Sequence, residues 1–423
     1  MYINRAIEQT IINYSKQWPC ITIYGARQVG KSTIVAHLFS KKMTRITMDD
    51  LDLRSKAKNN AKTFLESYSL PLCIDEIQKA PELLEEIKIV IDKYKEKWLF
   101  ESKPNELLFI LTGSNQIDLR KKVGDSLAGR TAILNLSSLS HAEIANYPLK
   151  DEFNPDIDVL KKKENEKLSV YRSRKQIFED IYRGGMPEYI ASNIDRNSFF
   201  SSYVQTYLEK DVSSLINPNN IPTFLRFMQY IALRTGCTLD YNDVAKNIGV
   251  DSKTIKSWIN ILITTKIIFL LEPYAKNLSN RIVKTPVLHF FDTGLCAYLG
   301  RWPNAESIEN GPLNGRFYET YVVSEILKSF YNKGYNPELM NEKQIYFYRD
   351  RDNKEVDLII ETIDGIYPIE IKKGIKPSSP DKSFSVLNKF GKKVFSGIVI
   401  DSKDKIFKLN DNAYEIPIEL IGL

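Results

Sequence analysis

At 423 residues the chain exceeds one ordinary domain, and two to four domains are expected. Its 43% hydrophobic and 26% charged residues are the balance of a soluble globular protein, and no apolar run reaches membrane-spanning length. A net charge of +6 permits nucleic-acid binding without demanding it. The N-terminus has no signal-peptide design, so a cytoplasmic location with no membrane partner is expected. Cys20, Cys73, Cys237 and Cys296 are far apart, lack metal-ligand spacing, and read as reduced packing residues.

In chain order, the stretch before Cys20 reads as a helix with Ile7, Ile11, Ile12 and Tyr14 on its apolar positions. Residues 21–33 then read as strand, glycine loop and helix start. Gly25, Gly30, Lys31 and Ser32 satisfy the G-x-x-x-x-G-K-[ST] phosphate-binding pattern. The glycines let backbone N–H groups of Gly25, Ala26, Arg27, Gln28, Val29, Gly30, Lys31, Ser32 and Thr33 turn toward an anion at a helix N-terminus. Lys31 supplies a charge for the β- and γ-phosphates, and the Ser32 hydroxyl is suited to ligate Mg²⁺. The bare alternative, a glycine turn, would not need the Lys-Ser pair.

A second strand is expected over 45–50. A third runs from Leu70 and ends in Asp75-Glu76, the second half of an ATPase signature. Asp75 would hold Mg²⁺ through water or Ser32, and Glu76 would orient and deprotonate the attacking water. Residues 107–115 form another apolar strand with a polar end. Ser114 is chosen there as the γ-phosphate sensor, with Asn115 second and a helix N-cap as the bland alternative. Arg130, ahead of a strand over 131–136, sits where ring-forming ATPases place an arginine finger; a surface arginine is the competing reading.

Gly25-Ala-Arg-Gln-Val-Gly-Lys-Ser32, Cys73-Ile-Asp-Glu-Ile-Gln-Lys-Ala-Pro81, Leu111-Thr-Gly-Ser114 and Leu127-Ala-Gly-Arg130 resemble a widespread prokaryotic family of predicted AAA-type ATPases with a C-terminal domain of unassigned function. The resemblance continues through Leu139-Ser-His-Ala-Glu143 and Gly184-Gly-Met-Pro-Glu188 to the end of the chain. It implies an α/β ATPase core and homo-oligomerisation, while the motif residues themselves make ATP with Mg²⁺ the expected ligands.

Residues 150–176 are charged and proline-punctuated, and read as a solvated linker or exposed helix. After a short helix over 177–182, Gly184-Gly-Met-Pro187 resembles the lid of signalling ATPases, with Pro187 near the nucleotide base. A glycine-proline corner is the alternative. A further helix covers 203–211. Residues 220–291 then show a winged helix-turn-helix pattern: helices over 224–233, 241–248 and 253–264, and strands over 267–271 and 287–291. Lys253, Lys256 and Trp258 on the third helix, with Lys276, Arg281 and Lys284 between the strands, are candidates for phosphate contacts on DNA. No arginine lies on that helix, so non-specific or structural use is favoured over reading of sequence.

The C-terminal part opens with a helix over 318–330 that carries Glu319 and Glu325. Strands over 344–349 and 354–360 follow, then a turn at Gly365 and a returning strand over 367–372. Alternation lets Asp357, Glu370 and Lys372 meet on paired strands. Helix, hairpin, Asp, then Glu-x-Lys resembles the PD-(D/E)xK nuclease core, with Val356 where a proline often stands. Asp357, Glu370 and Glu325 are the metal-ligand candidates for Mg²⁺ or Mn²⁺, with Glu319 as the other choice of helix acid, and Lys372 would steady the nucleophile. A half-exposed hairpin with surface charges is the alternative.

The fold class expected is thus α/β multidomain: an AAA-type P-loop core (1–145), a linker and helical lid (146–218), a winged helix-turn-helix (219–300) and a restriction-endonuclease-like domain (301–423). The leading reading is an Mg²⁺-dependent ATPase that controls a nuclease-like, DNA-interacting domain in genome maintenance or defence. The alternative is a nucleotide-dependent switch that recruits a protein partner without cleavage.

Overall fold

The computed structural model describes residues 2–40, 42–114, 126–147, 151–166, 171–213, 215–275, 285–337, 345–350, 352, 354–373 and 381–422. Asn115, Lys276, Arg281 and Lys284 lie outside the described residues.

Among the described residues, five parallel strands form the first sheet: β1 (Cys20–Tyr24), β2 (Thr44–Thr47), β3 (Leu72–Asp75), β4 (Phe109–Gly113) and β5 (Thr131–Asn135), in the order β2-β3-β4-β1-β5. Parallel strands covered on both faces read as unbroken apolar runs, and every residue of β1 and β4 is buried. Because the strands are parallel, Tyr24, Asp75 and Gly113 finish at the same edge. The phosphate loop and both polar strand ends therefore meet there. The expected second strand stops at Thr47; Asp50 instead caps the next helix, accepting from the N–H groups of Asp52 and Leu53.

The middle of the chain is helical. Helices Ile157–Glu166, Arg174–Arg183, Pro187–Ala191 and Arg196–Tyr207 are followed by a π-helical turn, Leu208–Val212. The stretch expected to be solvated is in part packed: Phe153 and Leu160 are buried, and Arg172 pairs with Asp180 (2.6 Å) and Glu419 (3.1 Å). Helices Ile221–Ala232, Tyr241–Ile248 and Ser252–Thr264 follow with a three-stranded antiparallel sheet of β6 (Cys237–Thr238), β7 (Ile268–Leu271) and β8 (Val287–Phe290) in the order β6-β8-β7. Trp258 is corrected from a surface candidate to a core residue. It is 2% exposed and packs on Phe224 and Phe227. Lys253 and Lys256 remain on the exposed face.

The C-terminal sheet is mixed: β9 (Ile345–Arg349), β10 (Glu355–Glu361), β11 (Ile366–Ile371), β12 (Gly397–Asp401), β13 (Phe407–Asn410) and β14 (Ala413–Pro417), ordered β13-β14-β12-β11-β10-β9. β9, β10 and β11 pair antiparallel; β11, β12 and β14 pair parallel. Helix Asn314–Asn332 is buried almost all round, as expected of a helix enclosed by protein. It touches β11 of its own sheet, β8, and β5 of the first sheet. One apolar core runs from Phe153 to Ile421, so the middle helices, the three-helix unit and the C-terminal sheet share their packing.

The Gly184-Gly185 pair makes this docking possible. A Cβ on Gly185 would lie 2.2 Å from the Leu139 carbonyl oxygen, in the segment that follows β5. Gly184 has φ +73° and faces Asp292 and Gly294. Gly185→Ala is expected to destabilise the chain by about 2–3 kcal/mol through overpacking. Gly315→Ala, at a helical position where an added Cβ meets nothing within 4 Å, should be neutral or slightly stabilising. Urea unfolding of the two variants checks this; equal midpoints would refute the packing argument.

Candidate nucleotide site and C-terminal acidic cluster

The phosphate loop leaves β1 with the backbone its sequence demands. A Cβ on Gly25 would lie 2.1 Å from the Leu136 carbonyl oxygen, and Gly30 has φ +93°. The helix Lys31–Phe39 begins without a side-chain cap, leaving its first N–H groups to an anion. Lys31 is buried at 6% exposure, and its ammonium donates to the carbonyls of Gly25 (3.0 Å) and Ala26 (2.8 Å). Burial pulls its pKa down, against the charges of Glu76 and Asp75.

Ser32 Oγ donates to Asp75 Oδ2 at 2.7 Å, and Thr112 Oγ1 donates to Asp75 Oδ1. A hydroxyl and a carboxylate side by side fit Mg²⁺, which takes one or two carboxylates and completes its shell with water and substrate phosphate. Glu76 sits in the left-handed region (φ 54°) just past β3. Its Oε2 accepts from Gln78 Nε2 and from Ser114 Oγ (3.2 Å). Ser114 is therefore placed on the candidate base rather than apart from it. Thr112, Gln78 and Arg5 were not singled out from the sequence. Arg5 bonds the Val29 carbonyl (2.9 Å), the Ser137 carbonyl (2.8 Å) and Glu143 (3.0 Å), bracing the loop from the N-terminal segment.

Arg5, Arg27, Gln28, Lys31, Ser32 and Glu76 are among the residues that line a cavity of ≈ 560 Å³ at the loop. Pro187 and Glu188 close one side, and Tyr2, stacked on His37 at 3.9 Å, lies on another. Arg130 is not brought to this cavity. It is paired with Asp92 on helix Leu83–Phe100 by bonds of 2.6 and 2.8 Å, which hold the Asp92 carboxyl below its usual range.

In the C-terminal sheet the antiparallel register Leu358↔Ile369 sets Asp357 beside Glu370. Asp357 Oδ2 accepts from the Ile371 N–H at 2.8 Å and lies 4.0 Å from Lys372 Nζ, which is ion-paired with Glu370. Burial, then the Glu370 charge, pushes the Asp357 carboxyl up to about 7. Burial also raises Glu370, whose Oε2 has no hydrogen-bond partner. Although burial opposes it, the Lys372 ammonium is held above its usual range by Asp357 and Glu370.

Of the two helix acids, Glu319 is the one in the field of Asp357 and Glu370, and its Oε1 lies 3.8 Å from His289 Nε2. Burial with the charges of Asp357, Glu355 and Glu370 pushes Glu319 well above the usual carboxylate range. Glu325 accepts from the His141 N–H (2.8 Å) and from Lys328 (2.8 Å), toward the ATPase side. Six residues are about one and two-thirds helical turns, so the two acids point to different sides. Among the described residues no three His, Cys, Asp or Glu side chains gather closely enough to hold a metal ion. The pair Asp357 and Glu370 matches the one or two carboxylates by which Mg²⁺ is commonly held beside a substrate phosphate.

A parallel sheet with a phosphate loop leaving one strand and an acidic pair leaving another is that of an AAA-type P-loop ATPase, and an AAA domain model matches residues 17–145. Models of two domains of unknown function match further along, DUF8612 over 174–306 and DUF4143 over 314–421. Uncharacterized proteins of Mycobacterium tuberculosis and Mycobacterium bovis are each 23% identical over 363 residues, covering 85% of this chain and 71% of theirs. A Walker-type ATPase of Pyrococcus abyssi is similar at TM-score 0.41 and 14% identity, covering 70% of this chain and 96% of that one. RuvB of Thermotoga maritima gives 0.25 and 14%, covering 62% and 85%. Among the described residues no helix is long and apolar enough to cross a membrane.

Proposed function

We propose that this chain couples an Mg²⁺-dependent ATP cycle to a nuclease-like domain that acts on DNA. The observation that carries the reading is the pairing of Asp357 and Glu370 across β10 and β11, with Lys372 ion-paired to Glu370 and 4.0 Å from Asp357. Such crowding suits a divalent cation, which would polarise a phosphodiester and activate water there. In that site Asp357 and Glu370 hold the ligand positions, and Lys372 steadies developing negative charge. In the nucleotide site Lys31 neutralises the phosphates, Ser32 and Asp75 provide the Mg²⁺ position, and Glu76 takes a proton from water.

The three helices with a small antiparallel sheet support a winged helix-turn-helix, whose exposed Lys253 and Lys256 suit phosphate contacts without sequence reading. Arg130 would act in a neighbouring subunit's site only by leaving Asp92 within a homo-oligomer. A second reading, a switch that recruits a protein partner with the nuclease-like domain inactive, draws on the shared core that ties lid and C-terminal sheet together.

Cleavage of several DNA forms, with Mg²⁺ or Mn²⁺ and with or without ATP, tests the proposal. Wild type should cleave at least one form, and Lys372→Ala should lose about 100-fold or more, the usual weight of one charge-stabilising group. If neither protein cuts any substrate, the nuclease reading falls and the switch stands.

A further inference from the structure

The phosphate loop carries a second cation that the ATPase motif does not require. Arg27 grips Asp211 with a two-pronged contact, Nε to Oδ2 at 2.7 Å and Nη2 to Oδ1 at 3.0 Å. The two side chains are 18% and 8% exposed. Arg27 nonetheless lines the same cavity as Lys31, Ser32 and Glu76. Asp211 lies in the π-helical turn Leu208–Val212, which ends the long helix Arg196–Tyr207. Such turns interrupt a helix at a cost and recur at functional positions.

A guanidinium fork fits a carboxylate and a phosphate by the same planar geometry. Asp211 therefore holds Arg27 in the way a terminal phosphate would. The Tyr203 hydroxyl, on the preceding helix and 1% exposed, has no hydrogen-bond partner and lies within the field of both Arg27 and Asp211.

We propose that Arg27 discriminates nucleoside triphosphate from diphosphate by exchanging the Asp211 carboxylate for the terminal phosphate, releasing the π-helical turn toward the middle of the chain. This rests on the ATPase reading of the cavity. Exchange needs no net change in the arginine's pairing, so it can be driven by modest differences in affinity. It also gives the chain a link from nucleotide state to helix Arg196–Tyr207, which is packed in the apolar core shared with the C-terminal sheet. Lys31 cannot supply that link, because its partners are loop carbonyls.

Binding of a non-hydrolysable ATP analogue and of ADP is measured by competition with a fluorescent nucleotide on the full chain. Arg27→Ala should weaken the triphosphate about 10- to 100-fold while moving ADP little, the range for one charge-assisted fork. Arg27→Lys keeps the charge without the fork and should lose most of that preference. Asp211→Asn should tighten the triphosphate several-fold, about the effect of removing a competing partner. The double variant should match Arg27→Ala, because Asp211 acts only through Arg27. Hydrogen exchange of wild-type amides 208–212 should quicken with the triphosphate analogue and not with ADP, a readout that needs no variant to fold. Equal losses for both nucleotides in Arg27→Ala and Arg27→Lys, or an exchange pattern indifferent to the third phosphate, would overturn the proposal. Wild type that binds neither nucleotide would instead overturn the ATPase reading itself.

Discussion

Lys31→Ala is expected to bind ATP at least about 100-fold more weakly than wild type, close to no binding at working concentrations. The lysine contributes contacts to two phosphates, and charge-assisted hydrogen bonds of this kind contribute roughly 1.5–3 kcal/mol each. Structure adds a second expectation. Without nucleotide the ammonium is buried against two carbonyls, and burial disfavours its charged form. Removing it should leave the folded chain as stable as before, or slightly more so. The melting temperature of the variant should match or exceed wild type while the rise caused by Mg-ATP disappears. Calorimetric titration and thermal melts check both halves. Retained ATP binding would remove Lys31 from the phosphate site, and a large fall in melting temperature without nucleotide would show that its role is structural.

Glu76→Gln should bind ATP as wild type does and hydrolyse it about 10²- to 10⁴-fold more slowly, the usual contribution of a positioned base. The amide is nearly isosteric and keeps an oxygen to accept from Ser114 and Gln78, so the strand end should hold its shape. It cannot take up a proton. The variant should accumulate the ATP-bound state, which makes it the right background for measuring what that state does to the C-terminal cluster. Steady-state phosphate release with a parallel binding isotherm decides the matter. Full turnover would reassign the base, and lost binding would mean that Glu76 shapes the pocket.

The groups behind these two predictions were legible because their partners are close in sequence or set by strand ends. Gly25, Gly30 and Lys31 act within one loop, and the lysine bonds carbonyls only five and six residues away. Asp75 and Glu76 were readable as an apolar strand's polar end. Glu370 and Lys372 were readable from alternation, since both flank the buried Ile371. Trp258 was expected at the surface although the pattern carried its burial: Ile255, Trp258, Ile259 and Leu262 recur at helical spacing. The helix register likewise allows only one of Glu319 and Glu325 to face a given strand, although it does not say which.

What the chain's order determined by itself was local: a phosphate loop, an acidic strand end, and a hairpin with matched charges. Each depends on backbone periodicity and on residues that touch near neighbours. Tertiary packing decided the remainder. Arg27 meets Asp211 across 184 residues, and Arg5 meets Glu143 across 138. Glu325 turns to His141 because the helix Asn314–Asn332 is wedged between the ATPase sheet and the C-terminal sheet, which leaves Glu319 to the acidic cluster. Long-range partners of this kind are chosen by which apolar faces bury together and by the pairing that buried charges then require, and neither is written in any single stretch of the chain.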